Sequence, residues 1–248
     1  MSLLKFASLT CIALTLGACQ SVFQASAPKP LAFTPDASEQ LKTGCKGQDC
    51  PLVNIDTVHP QGDPKLDALI ESRLLKMTVF SPEDKLAPSL NAYREQFLRT
   101  AASRNSSYLQ AKVREQHDDL VIIELSSYLD TGGAHGMPGR GFINYSRQDQ
   151  REVTLQDMLI PGQEKAFWAA GKVAHNNWLI STRFGNDPEF VKNWPFQQTP
   201  HVALLKDNAL PKYEVYSIAP YSEGHVELKI PYSRLNGILK PQWFPAQR

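Results

Sequence analysis

Leu109-Gln110-Ala111-Lys112-Val113-Arg114, then a turn at His117-Asp118-Asp119, then Leu120-Val121-Ile122-Ile123-Glu124-Leu125, decide the fold. In the first run apolar and polar residues alternate, as in a strand with one face buried and one face wet. The second is almost continuously apolar and rich in β-branched residues, which marks a strand at the centre of a sheet. A Gly-rich segment at 132–141 then leads into Phe142-Ile143-Asn144-Tyr145, a third strand. Connections this short favour antiparallel pairing.

Upstream, Leu52 to Val58 alternates well enough for another strand. Asp63-Pro64 follows as a helix N-cap with proline at the first helical position. That helix carries Leu66, Leu69, Ile70, Leu74 and Met77 on one side, and a second helix is predicted from Pro88 to Arg99 with Leu90, Tyr93, Phe97 and Leu98 inward. Downstream, a helical turn at Leu155–Leu159 stops at Pro161-Gly162. A long helix from about Gln163 to Thr182 follows, with Phe167, Ala170, Ala174 and Trp178 on its buried side and His175 half-buried beside Trp178. Three further strands are expected near 201–206, 213–218 and 225–230. No internal repeat is visible. The pattern is α+β: an antiparallel sheet with packed helices, in two closely associated subdomains, 45–150 and 151–248.

The N-terminus reads differently. Lys5 precedes an apolar run from Phe6 to Leu16, which is of signal-peptide length and too short to span a membrane. It ends in Leu16-Gly17-Ala18-Cys19, which resembles the lipobox of bacterial lipoproteins. That resemblance implies removal of residues 1–18 and acyl chains on Cys19; Gln20 in place of Asp implies sorting to the outer membrane, with the domain in the periplasm. Several acyl chains anchor stably where one does not, at about 0.8 kcal/mol per buried methylene. Residues 19–44, with Pro28, Pro30 and Pro35 and little apolar periodicity, read as a lipidated flexible tether, order beginning at the next cysteine.

With Lys5 removed, the chain carries 25 basic and 25 acidic residues. This balance argues against nucleic acid as a partner. Cys45 and Cys50, in Gly44-Cys45-Lys46-Gly47-Gln48-Asp49-Cys50, fit a local disulfide in an oxidising compartment; zinc is the alternative, although no second cysteine pair or His cluster supports it. No metal or cofactor is expected.

Two longer segments carry a family resemblance. One is Ser127-Tyr128-Leu129-Asp130-Thr131-Gly132-Gly133-Ala134-His135-Gly136, followed by Asn144-Tyr145 and Val153-Thr154-Leu155-Gln156-Asp157-Met158-Leu159. The other is Tyr216-Ser217-Ile218-Ala219-Pro220-Tyr221-Ser222-Glu223-Gly224, running into Val226 to Tyr232. Together they resemble the RsiV-like envelope proteins, in which a small N-terminal domain, also found beside a peptidoglycan deacetylase, precedes the RsiV-like C-terminal domain. The resemblance spans roughly residues 45–240. It implies the fold and a binding role, since RsiV recognises lysozyme. Signalling and deacetylation are not carried over, because no anti-sigma region or deacetylase sequence accompanies these segments.

The candidate ligand-binding residues are Gly132, Gly133, His135, Gly136 and Tyr221. Adjacent glycines let backbone approach a ligand, and His135 offers a hydrogen-bonding contact or, with Asp130, a base. The plainer reading is a wide turn whose histidine bonds a nearby carbonyl. Tyr221 is either a recognition aromatic or a cover for the core. Trp194-Pro195-Phe196 is a further candidate, as a carbohydrate-contacting loop. No nucleophile elbow, zinc-protease helix or phosphate loop occurs. The expectation is therefore a non-enzymatic, lipid-anchored binding module for a lysozyme, another cell-wall enzyme or peptidoglycan. The alternatives are an envelope hydrolase using His135 and a structural lipoprotein of an outer-membrane assembly.

Overall fold

The computed structural model describes residues 29–246. Cys19 and the leader 1–18 lie outside the described residues. The chain first forms β1 (Phe33–Leu41), which corrects the reading of 19–44 as tether throughout. β1 runs antiparallel to β2 (Leu52–Pro60), from Phe33↔Pro60 to Leu41↔Leu52. β1 is polar and largely exposed, held by backbone pairing at the edge of the sheet. Such a strand buries no side-chain stripe, so it leaves no periodicity to read, and an edge tolerates Pro35. Cys45 and Cys50 form the disulfide that closes the β1–β2 connection.

α1 (Pro64–Lys76) starts on Asp63, whose side chain caps the amide of Leu66, and α2 (Leu90–Thr100) starts on Ser89, which caps Ala92. These two helices make the crossover to β3 (Ser106–His117), so β2 and β3 pair in parallel. An otherwise antiparallel sheet thus contains one parallel pair, because a helical crossover returns the chain to the same end of the sheet. β3, β4 (Leu120–Asp130), β5 (Met137–Ser146) and β6 (Arg151–Glu152) complete the six-stranded order β1-β2-β3-β4-β5-β6.

The C-terminal part comprises α3 (Leu155–Met158), α4 (Glu164–Ser181), α5 (Pro188–Asn193) and a small antiparallel sheet of β7 (Val202–Leu204), β8 (Asn208–Pro211) and β9 (Ile230–Pro231). The expected strand at 213–218 is absent. Lys212 bridges Glu227, Tyr213 N donates to Val226 O, and the chain then turns, with Ser217 N donating to Glu214 O. Of the expected 225–230 strand only Ile230 is regular, and β9 continues to Pro231 beyond it. On α4 the buried face is Phe167, Trp168, Gly171, Ala174, His175 and Leu179, while Ala170 and Trp178 are only partly buried. His175, expected to be half-buried, is 3% exposed.

Two cores explain the patterning of β4. Val121, Ile123 and Leu125 face α1 and α2, packing with Val53, Ile55, Leu66, Ile70 and Leu74. Leu120 and Ile122 face the other way, into a core with Phe142, Phe167, Val202 and Leu228. A strand buried on both faces loses polar alternation.

Candidate functional site

The β4–β5 hairpin ends in the glycine-bearing loop. Asp130 Oδ1 accepts from Gly132 N at 2.8 Å and fixes the turn, while Gly132 adopts φ +84°. That value favours glycine; Gly133 has no such requirement. Gly136 is needed for another reason. A Cβ there would overlap the Tyr128 ring, whose hydroxyl accepts from Gly136 N at 3.0 Å.

His135 reaches across to the second segment. Its Nδ1 bonds Gly136 O at 2.9 Å, its Nε2 lies 3.0 Å from the Tyr216 hydroxyl, and its ring stacks on Tyr221 with centroids 3.9 Å apart. A neutral imidazole protonated on Nδ1 satisfies both bonds, donating to the carbonyl and accepting from the phenol. Tyr221 Oη donates to Gly136 O at 3.3 Å. Burial, with Tyr128 close by, raises the Tyr221 pKa. Tyr216, 48% exposed, extends the cluster to Trp194, whose ring lies 6.5 Å away. Tyr216 holds φ +65°, the left-handed region that a bulky side chain rarely adopts. Such strain costs on the order of 1–3 kcal/mol and collects at functional sites.

Of the candidates, His135, Gly136 and Tyr221 are brought together; Gly132 and Gly133 shape the loop tip. Cys45 and Cys50 stand apart, at the β1–β2 connection, and their disulfide removes the thiols from consideration as zinc ligands. Asp130 bonds the turn and makes no hydrogen bond to His135 among the described residues.

Sequence reasoning missed Tyr128 and Tyr216, which stand inside the quoted segments but become partners of His135 only through folding. It also missed a polar cluster beneath the site. Glu214 Oε1 accepts from Arg140 N at 2.8 Å, and the carboxylate lies 3.7 Å from His201 and 3.6 Å from His225. Burial raises the Glu214 pKa and, with Arg140 adding to the effect, pushes His225 down to about 4. Burial and Arg73 lower the pKa of His201. Nearby, the buried Lys212 ammonium is held by Glu124 at 2.5 Å and Glu227 at 2.9 Å. Such scattered ionisable residues carry no local signal in sequence.

Residues 156–233 match the family model described as "Protein of unknown function (DUF3298)". No curated protein matches the chain. A crystal structure of a DUF3298 family protein from Pseudomonas aeruginosa is 59% identical, with a TM-score of 0.85, covering 88% of this chain and 98% of that one. A DUF3298 member from Bacteroides fragilis, 18% identical over 87% of this chain and 96% of its own, shares the fold with a TM-score of 0.67. With the first of these relatives matching over nearly the whole described length, the chain belongs to the DUF3298 family.

Proposed function

We propose that this protein is a lipid-anchored, non-catalytic binding module of the bacterial cell envelope, with the His135–Tyr216–Tyr221 cluster as its recognition surface. The observation that carries the reading is the meeting of segments more than 80 residues apart: His135 Nε2 with the Tyr216 hydroxyl at 3.0 Å, and His135 stacked on Tyr221. Exposed aromatic rings fixed by hydrogen bonds lose little entropy on binding. The anchor rests on the Leu16-Gly17-Ala18-Cys19 motif and the RsiV-like assignment on the two quoted segments. Both imply an envelope ligand, here a lysozyme or another cell-wall enzyme. Peptidoglycan is the second reading, favoured by the planar stacked rings. Catalysis by His135 is disfavoured because both ring nitrogens are already engaged and Asp130 serves the turn.

The test is titration of the full chain in detergent against lysozymes and soluble muropeptides. Saturable binding weakened about tenfold or more by Tyr221→Ala is expected. No binding to either class at micromolar concentrations overturns the reading. Turnover of a wall substrate that His135→Ala abolishes at unchanged melting temperature favours the hydrolase instead. Capture of an outer-membrane protein by cross-linking in cells favours the structural lipoprotein. Cys19→Ser is expected to release the protein from membranes.

A further inference from the structure

The sheet face turned away from α1 and α2 is only partly covered. The C-terminal unit packs on Leu120, Ile122 and Phe142 of β4 and β5. On β2 and β3, Asn54, Asp56, Tyr108 and Gln110 of the same face remain half-buried and Lys112 is exposed. Strand register orders this open region into two rows. Asn54, Tyr108, Tyr128 and Pro138 lie side by side across β2 to β5; Asp56, Gln110, Ser126 and Arg140 form the row beside them. Residues paired across strands share a face, so each row is a line of neighbouring side chains.

The first row sets two tyrosines next to each other and continues through the Tyr128 hydroxyl, bonded to Gly136 N, into the His135–Tyr221 cluster. The second presents a carboxylate, an amide and a guanidinium, with the buried Ser126 between the last two. Gln110 Nε2 donates to Asp56 Oδ2 at 2.6 Å and Lys112 Nζ lies 3.5 Å from the same oxygen, so these groups are already oriented. The Arg140 guanidinium donates to Gly139 O at 2.8 Å, and it has no ion pair among the described residues. Burial, with Asp56 adding to it and Arg140 opposing, raises the Tyr108 pKa, as expected of a half-buried phenol beside the charged groups of the second row.

This chemistry selects a ligand class. Sugar rings offer C–H faces to aromatic rings, and their hydroxyl and amide groups both donate and accept hydrogen bonds. A protein interface would be expected to centre on a buried apolar core, whereas neither row holds an exposed aliphatic side chain. Charge complementarity adds the last element, since an unpaired guanidinium matches a carboxylate. We propose that the two rows bind a carboxylate-bearing glycan, its ring faces on Tyr108 and Tyr128 and its carboxylate on Arg140. The proposal rests on the binding-module reading and develops its peptidoglycan alternative into a specific glycan chemistry.

The experiment titrates the full chain in detergent with two probes. One is the acidic disaccharide of N-acetylglucosamine and N-acetylmuramic acid; the other is neutral diacetylchitobiose. Saturable binding of the acidic probe is expected, weakened about tenfold or more by Tyr108→Ala and by Gln110→Ala. Arg140→Gln weakens the acidic probe and leaves the neutral one unchanged. Melting temperatures identify any variant that fails to fold, and Gln110→Ala, which removes no core contact, keeps the test decisive. Absence of saturable binding to both probes at millimolar concentration overturns the proposal, as does binding that Tyr108→Ala and Gln110→Ala leave intact. Retained lysozyme binding that depends on Tyr221 would then leave the binding module standing with another ligand; loss of that binding too would remove both.

Discussion

Asn144 joins the large sheet to the C-terminal unit, and Asn144→Ala should uncouple them. Its side chain, on a residue only 4% exposed, donates from Nδ2 to Val202 O at 2.8 Å and accepts from Leu204 N at 2.8 Å. On β7 the pairing with β8 uses residues on either side, as in Lys212 N to His201 O and Leu205 N to Asn208 O. The alternation of an antiparallel ladder then turns Val202 O and Leu204 N to the outer edge. There Asn144 takes the place of a neighbouring strand. Truncation to Ala leaves a buried carbonyl and a buried amide without partners, at about 1–3 kcal/mol each, or roughly 4 kcal/mol together. With a urea dependence of about 2 kcal/mol per molar, the unfolding midpoint falls by about 2 M. Equilibrium denaturation followed by tryptophan fluorescence measures it, since Trp168, Trp178, Trp194 and Trp243 all lie in the C-terminal unit. A loss below about 1 kcal/mol would show that the edge of β7 finds water instead, and the reasoning would be refuted.

Two other outcomes follow from the geometry. His225 titrates near pH 4 when folded and near 6.5 when unfolded, so below pH 6.5 the unfolded chain binds a proton that the folded chain does not; stability drains away as pH falls toward 4, and His225→Gln should flatten that limb in calorimetric scans. A chain starting at residue 45 lacks β1, exposes the edge of β2 and loses the bonds of Gln116 to Leu31, so it should melt lower and aggregate more than one starting at residue 29, as light scattering would register.

How far this was legible in sequence depends on where each residue spends its side chain. β4 declared itself because both its faces are buried, and α1 and α2 because each carries a stripe of apolar residues, the first behind the Asp63 cap. β1 stayed hidden because its stability comes from backbone pairing, which has no residue code. Residues 213–218 alternate like a strand, yet Tyr216 leaves the extended region, since its ring is needed beside His135 and Trp194. The site was half visible. His135, Gly136 and Tyr221 stood out as turn residues flanked by glycine and proline, whereas Tyr108, Tyr128, Arg140 and Glu214 acquire meaning only from register and docking, which are long-range properties.

The path of β1 also has a mechanical side. The strand enters beside Pro60 and runs toward Leu41, while the loop bearing His135 sits beyond Asp130, at the opposite end of the sheet. Eleven residues of β4 separate the two ends, about 35 Å at strand spacing. A tug between the start of the chain and anything gripped by that loop acts along the strand axis. The rungs from Phe33 to Leu41 then resist together in shear instead of opening one after another like a zip.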